Sequence, residues 1–125
     1  MNRHVLTLDL RDDQDAVDAY RAYHAQVWPE VVRSLADAGV RDMDIHLLGR
    51  RLVMIVDLQE GLDLRRVFEK HLASPDPRVA EWEQLMKSLQ QRAPGARDGE
   101  WWARMDPVFQ LRRQAATAIN PRGTP

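Results

Sequence analysis

Cysteine is absent from the 125 residues. That excludes thiol catalysis, thiolate-zinc sites and redox switching, and it argues against a disulfide-built secreted scaffold. A cytoplasmic home is therefore the default expectation. Long apolar runs are missing too, so no segment approaches membrane-spanning length. The opening MNRHVLTLDL runs straight into alternating apolar and polar positions, without the apolar core and cleavage site of a signal peptide. There is no basic excess: 18 Lys and Arg face 19 Asp and Glu, for a formal net charge of −1. Nucleic-acid binding needs many phosphate contacts from one basic surface, so a DNA or RNA partner is not expected. The Arg pairs at 50–51, 65–66 and 112–113 are assigned to solvated faces. Glycine-rich phosphate loops, Gly-x-Ser-x-Gly elbows and dinucleotide fingerprints are all lacking. His4, His24, His46 and His71 are scattered, without the short helical spacing of zinc ligands, and no metal site is expected.

What is present suffices for one globular domain. Hydrophobic residues make up 44% of the chain, and a domain of this size builds a core without disulfides or structural metal. The domain is read as residues 1–112. Residues 113–125 end in Asn, Pro, Gly, Thr and Pro and are expected to form a loose tail.

His4 to Leu10 alternates like a strand, with His4, Leu6, Leu8 and Leu10 on one side. The carboxylates Asp12, Asp13 and Asp15 then suit a helix N-terminus. Val17, Tyr20, His24, Val27, Val31 and Leu35 recur at helical spacing. Pro29 removes a donor and pushes Trp28 out of helical geometry, which predicts a kink or a break. Gly39 ends the element. Met43–Leu48 and Leu52–Leu58 read as strands joined at Gly49-Arg50-Arg51. Leu62–Leu72 reads as a short helix, and a second begins at Asp76-Pro77. Residues 93–100 read as a loop, and Pro107–Leu111 as a last short strand. Asp42, Asp44 and His46 share a strand face and are assigned to an exposed polar surface.

This order of elements is that of an α+β, ferredoxin-like domain, an antiparallel sheet with helices on one face. The other sheet face needs a cover, and a second copy of the chain is the simplest.

Tyr20 and His24 stand one helical turn apart on one face. Histidine takes and gives protons near neutral pH, and a phenol donates to or orients a hydroxyl. The same pair also fits two core-lining residues with satisfied polar tips. Its surroundings resemble a family signature. Tyr20-Arg21-Ala22-Tyr23-His24-Ala25-Gln26-Val27-Trp28-Pro29-Glu30 is similar to the Tyr-x-x-x-His and Trp-Pro-Glu of L-rhamnose mutarotases. The resemblance continues through Gly39, the strand pair, Trp82 to Met86 and Pro107 to Leu111.

It implies a ferredoxin-like domain paired as a dimeric α/β barrel, acting on a small monosaccharide without a cofactor. It also implies that His24 is the proton-transferring residue and that Tyr20 holds the sugar. Trp82 falls on the first of two tryptophans lining the family's sugar pocket, where the C–H face of a pyranose stacks on a flat ring. Trp28 of the signature is placed in the substrate site as well. Three positions depart from the rhamnose-acting pattern: Glu83 replaces the second tryptophan, Met43 a substrate-contacting tyrosine, and His46 a neighbouring aromatic. The sugar is thus L-rhamnose or a relative such as L-fucose. Trp101 and Trp102 either restore aromatic surface or pack the C-terminal segment. Glu30 either meets the sugar or His24, or serves the start of the post-proline helix. Two rival readings are a cofactor-free monooxygenase of the same dimeric fold and a sugar-binding module without turnover.

Overall fold

Alternation of apolar and polar residues gives the first strand, β1 (Asn2–Leu10), two unlike faces. Leu6, Leu8 and Leu10 are buried on one of them. The structure, a computed structural model, describes residues 1–119. In it β1 runs through the middle of an antiparallel sheet. One edge pairs with β3 (Arg51–Leu58), which in turn pairs with β2 (Val40–Leu48). The other edge carries β4 (Gln90–Gln91) and β5 (Ala103–Arg104). The order β2-β3-β1-β4, with β5 also against β1, is the α+β, ferredoxin-like arrangement that the element order predicts.

The register decides which side chains meet. Met54 lies opposite both Leu6 and Ile45, and Leu52 opposite both Leu8 and Leu47. On this face sit the helices α1 (Gln14–His24), α2 (Pro29–Ala38), α3 (Leu64–Leu72) and α4 (Pro77–Leu89). Two apolar clusters result. Leu6, Met54, Val56 and Leu58 pack with Ala38, Leu64 and Val67, while Leu10 and Leu52 pack with Tyr20, Val31, Trp82 and Met86. Fully burying one such leucine stabilises the fold by about 1.5–3 kcal/mol.

Local chemistry places the helix ends. Asp13 accepts from the Asp15 amide at 3.0 Å, Asp63 from Arg66 at 3.2 Å and Asp76 from Arg78 at 2.9 Å. Pro77 occupies the first turn of α4, where its missing N–H costs nothing. The stripe from Val17 to Leu35 is two helices, α1 ending at His24 and α2 starting at Pro29, with Trp28 non-helical between them (φ −59°, ψ 134°).

Three local expectations change. Pro107–Leu111 is not a strand: proline has no N–H for a ladder, the free edge of β1 is taken by β4 and β5, and Val108 is 97% exposed. The segment from Leu111 to Ile119 is a helix, α5, where the turn formers at the chain end had suggested a tail from residue 113. Its Arg, Gln and Ala favour helix locally, and residues 120–125 lie outside the described residues. Arg51 belongs to β3 and pairs with Leu48, shortening the predicted connection to Gly49-Arg50.

The second sheet face carries Val5, Val53 and Ile55, all partly exposed, between the ion pairs Arg3–Asp57 (2.7 Å) and Arg51–Asp9 (2.5 Å). None of α1 to α4 covers it.

Gly39 caps α2 at φ +113°, in the left-handed region, and a Cβ there would press on Leu62 Cδ1. Gly39→Ala is therefore expected to destabilise the fold by about 1–2 kcal/mol, read as a lower denaturant midpoint with unchanged slope. An unshifted midpoint would show that the cap relaxes freely.

Candidate active site

One turn of α1 brings the Tyr20 and His24 rings together, stacked with centroids 4.0 Å apart and planes 24° from parallel. Their i, i+4 spacing dictates that proximity. Trp82, projecting from α4, closes on the same spot: His24 meets it edge-on at 5.3 Å, Trp28 at 5.1 Å and Tyr23 at 6.1 Å. Each such edge contact adds about 0.5–1.5 kcal/mol beyond simple burial, so the imidazole has little freedom to turn.

A hydrogen bond fixes the tautomer of the imidazole. His24 Nδ1 lies 2.9 Å from the Tyr20 carbonyl oxygen. A carbonyl only accepts, so Nδ1 carries the proton and Nε2 presents a lone pair. Burial pushes the His24 pKa below that of a free imidazole, against the opposing effect of the bond to the Tyr20 carbonyl. The ring is neutral near neutral pH and is a ready base.

Tyr20 is 4% exposed. Burial raises its pKa, with the nearby charge of Glu83 adding to the rise and a hydrogen bond from Gln90 opposing it. The phenol therefore stays protonated and is able to donate. Gln90 is itself buried, and its Oε1 accepts from Trp101 Nε1 at 2.8 Å, so this one amide ties the phenol to the loop after β4.

These groups open into a cleft of about 1320 Å³ between the helices and the β2 side of the sheet. Tyr20, His24, Trp82, Glu83 and Met43 all line it. Trp28 does not. It stands behind Trp82 with the Arg78 guanidinium 3.6 Å above its ring, a supporting position. His46 is exposed and, by strand alternation, belongs to the opposite face from Met43, bordering the cleft only along the edge strand. Trp101 and Trp102 both line the cleft, and Trp102 packs against both apolar clusters. Glu30 Oε2 is buried at the start of α2 without a hydrogen-bond partner.

Sequence reasoning missed Gln90, Ser34 and His71. Gln90 sits at the end of α4 with nothing in its neighbours to mark it. His71 had a signal: with Leu64 and Val67 it continues the inward stripe of α3. Among the described residues no three His, Asp or Glu side chains are grouped to hold a metal ion, and no helix is long and apolar enough to cross a membrane.

A cleft with an oriented neutral imidazole, a protonated phenol and a tryptophan wall suits proton transfer on a neutral, hydroxyl-rich molecule. Comparison with known proteins agrees. The L-rhamnose mutarotase family model matches residues 3–111. The chain belongs to the L-rhamnose mutarotase family. It is 37% identical over 113 residues to an L-fucose mutarotase of Xanthomonas campestris pv. campestris, covering 89% of each chain. It is also 36% identical over 107 residues to a UPF0734 protein of Dictyostelium discoideum, covering 83% of this chain and 85% of that one. The crystal structure of an L-rhamnose mutarotase from Formosa agariphila superposes with a TM-score of 0.62 at 22% identity, covering 88% of this chain and 98% of the other. Tetracenomycin F2 cyclase from Streptomyces glaucescens shares the fold at a TM-score of 0.53 and 17% identity, covering 88% and 96%. The fold thus hosts other chemistry. Family membership makes this mutarotase an isomerase acting on a sugar.

Gln90→Leu strips partners from the Tyr20 phenol and the Trp101 indole. Leaving such groups buried and unpaired is expected to cost about 1–3 kcal/mol, measured by equilibrium urea unfolding; a neutral substitution would mean that water replaces the amide.

Proposed function

We propose that this mutarotase interconverts the α and β anomers of L-rhamnose or a related sugar such as L-fucose, with His24 as the proton carrier and Tyr20 as its partner. The observation behind this is the stacked pair itself: Nδ1 is committed to the Tyr20 carbonyl, which leaves Nε2 as the free base beside Trp82.

The steps follow from that geometry. Neutral His24 takes the proton of the anomeric hydroxyl at Nε2. The C1–O1 bond becomes a carbonyl as the bond from C1 to the ring oxygen breaks. Tyr20, kept protonated by its burial, donates a hydrogen bond to the departing ring oxygen, which then takes the proton from the His24 imidazolium. The aldehyde end rotates, and the same transfers in reverse close the ring on its other face. Every proton returns to its origin, and no cofactor enters. General acid–base catalysis contributes roughly a hundred- to ten-thousand-fold, and positioning against the Trp82 wall contributes the rest. Trp82 stacks on the C–H face of the sugar, Met43 and Glu83 meet its edges, and Trp28 contributes from behind Trp82. We give His46 no direct contact.

We take residues 1–112 as the working domain and place it in the cytoplasm, consistent with a chain free of cysteine. A second copy seated on the Val5, Val53 and Ile55 face completes the dimeric barrel, because a partly apolar sheet face without helical cover is an association surface. Sedimentation is expected to return about twice the 14.5 kDa chain mass; a monomer at micromolar concentration would rule that out.

Saturation transfer between the anomeric protons of L-rhamnose, L-fucose and related sugars tests the chemistry. His24→Ala should slow exchange by about a hundredfold or more, and unchanged exchange would remove His24 from the mechanism. The pH profile has a definite sign. Because the folded pKa of His24 lies below the ordinary 6.5, the base form persists into mildly acidic solution. Exchange should hold steady as pH falls through 6.5 and drop only below it; a drop centred above 6.5 would contradict the assignment.

A further inference from the structure

α2, α3 and α4 converge on a buried imidazole that this mechanism leaves unused. His71 is 3% exposed. Its Nδ1 lies 2.7 Å from Ser34 Oγ on α2, and its Nε2 lies 3.5 Å from Glu83 Oε1 on α4. Ser34 Oγ also sits 3.5 Å from the His71 carbonyl oxygen. A histidine removed from water needs partners at both ring nitrogens, and here each nitrogen faces one on a different helix. Ser34 Oγ thus engages Nδ1 from one side, and Nε2 faces the Glu83 carboxylate from the other at ion-pair distance.

Glu83 is the outward end of this chain. A third of its side chain, 32%, remains exposed, and it lines the cleft beside Tyr20, His24 and Trp82. Its charge reaches the Tyr20 phenol. Oε1 faces His71, while Oε2 takes no hydrogen bond from the described residues. A carboxylate so tethered is a preorganised acceptor, and a hydroxyl bond to an ionised acceptor is about twice as strong as a neutral one. Trp82 and Glu83 are adjacent in sequence and both reach the cleft, which joins a flat surface for the C–H face of a sugar to an acceptor for its hydroxyl edge.

We infer that Glu83 is the residue that selects the sugar, accepting from ring hydroxyls beside the face stacked on Trp82, and that His71 and Ser34 are positioning residues holding it there. The inference rests on the mutarotase reading above and deepens it. The ligand class is a neutral pyranose presenting a hydroxyl, or an adjacent pair, toward α4. Epimers that turn that hydroxyl away leave the carboxylate unpaired, and hydroxyl-reading sites discriminate strongly for that reason.

The test separates binding from turnover. Sugar affinity and anomer exchange at saturation are measured for wild type, Glu83→Gln, His71→Leu and His71→Gln. The ligands are the preferred sugar and each of its monodeoxy derivatives. Glu83→Gln should weaken Kd by about tenfold. The penalty should vanish for the derivative that lacks the contacted hydroxyl. His71→Leu should raise KM without lowering kcat, non-additively with Glu83→Gln. His71→Gln, which keeps a donor, should recover part of the loss. Where His71→Leu does not fold, Ser34→Ala carries the same expectation with a smaller rise in KM. An unchanged Kd in Glu83→Gln, an equal penalty across all deoxy sugars, or a loss confined to kcat would each overturn the inference. Failure of the catalytic reading looks different, since His24→Ala would then exchange anomers as fast as wild type.

Discussion

Packing of the Trp82 indole against α1 is the contact on which the rest of the site depends. Trp82 is 4% exposed and sits in the same apolar cluster as Tyr20, Val31, Leu52 and Met86. It therefore joins α4 to both α1 and the sheet. With its edge contacts to Tyr23, His24 and Trp28, it holds the last turn of α1 against α4. Without that contact the Tyr20–His24 stack would be an exposed pair at the last turn of α1, free to adopt other rotamers. The Arg78 guanidinium over Trp28 continues the stack outward, so the aromatic group is braced on its solvent side as well.

Burial serves stability and chemistry together here. The desolvation that pays nothing back to an idle histidine keeps His24 neutral and Tyr20 protonated, the two states that a base and a donor require. Both groups avoid being orphaned because their second polar functions are satisfied inside the protein, His24 by a backbone carbonyl and Tyr20 by Gln90. The buried polar groups are thus ordered without closing the cleft in front of them.

A wider pattern runs through the helical layer. Three side chains facing the cleft are each backed from a different element: His24 by Trp82, Tyr20 by Gln90, Glu83 by His71. Supporting contacts of this kind hold a site to the tolerance that proton transfer demands.

Much of this was legible in the residues themselves. Alternation along β1 and β3, the aspartate caps, Pro29 and Gly39 act within one or two turns of chain, so local physics settled those elements, and the i, i+4 spacing alone put Tyr20 beside His24. The signature around them marked the family. Tertiary structure decided what lies far apart in sequence: that Trp82 closes on α1, that Gln90 reaches the phenol, that His71 meets both Ser34 and Glu83, that Trp28 stands behind Trp82, and that His46 borders the cleft from the edge strand. It also handed the free edge of β1 to β4 and β5 in place of residues 107–111. These outcomes depend on strand register and helix crossing, which sum weak contacts over the whole domain, and no short stretch of residues encodes them.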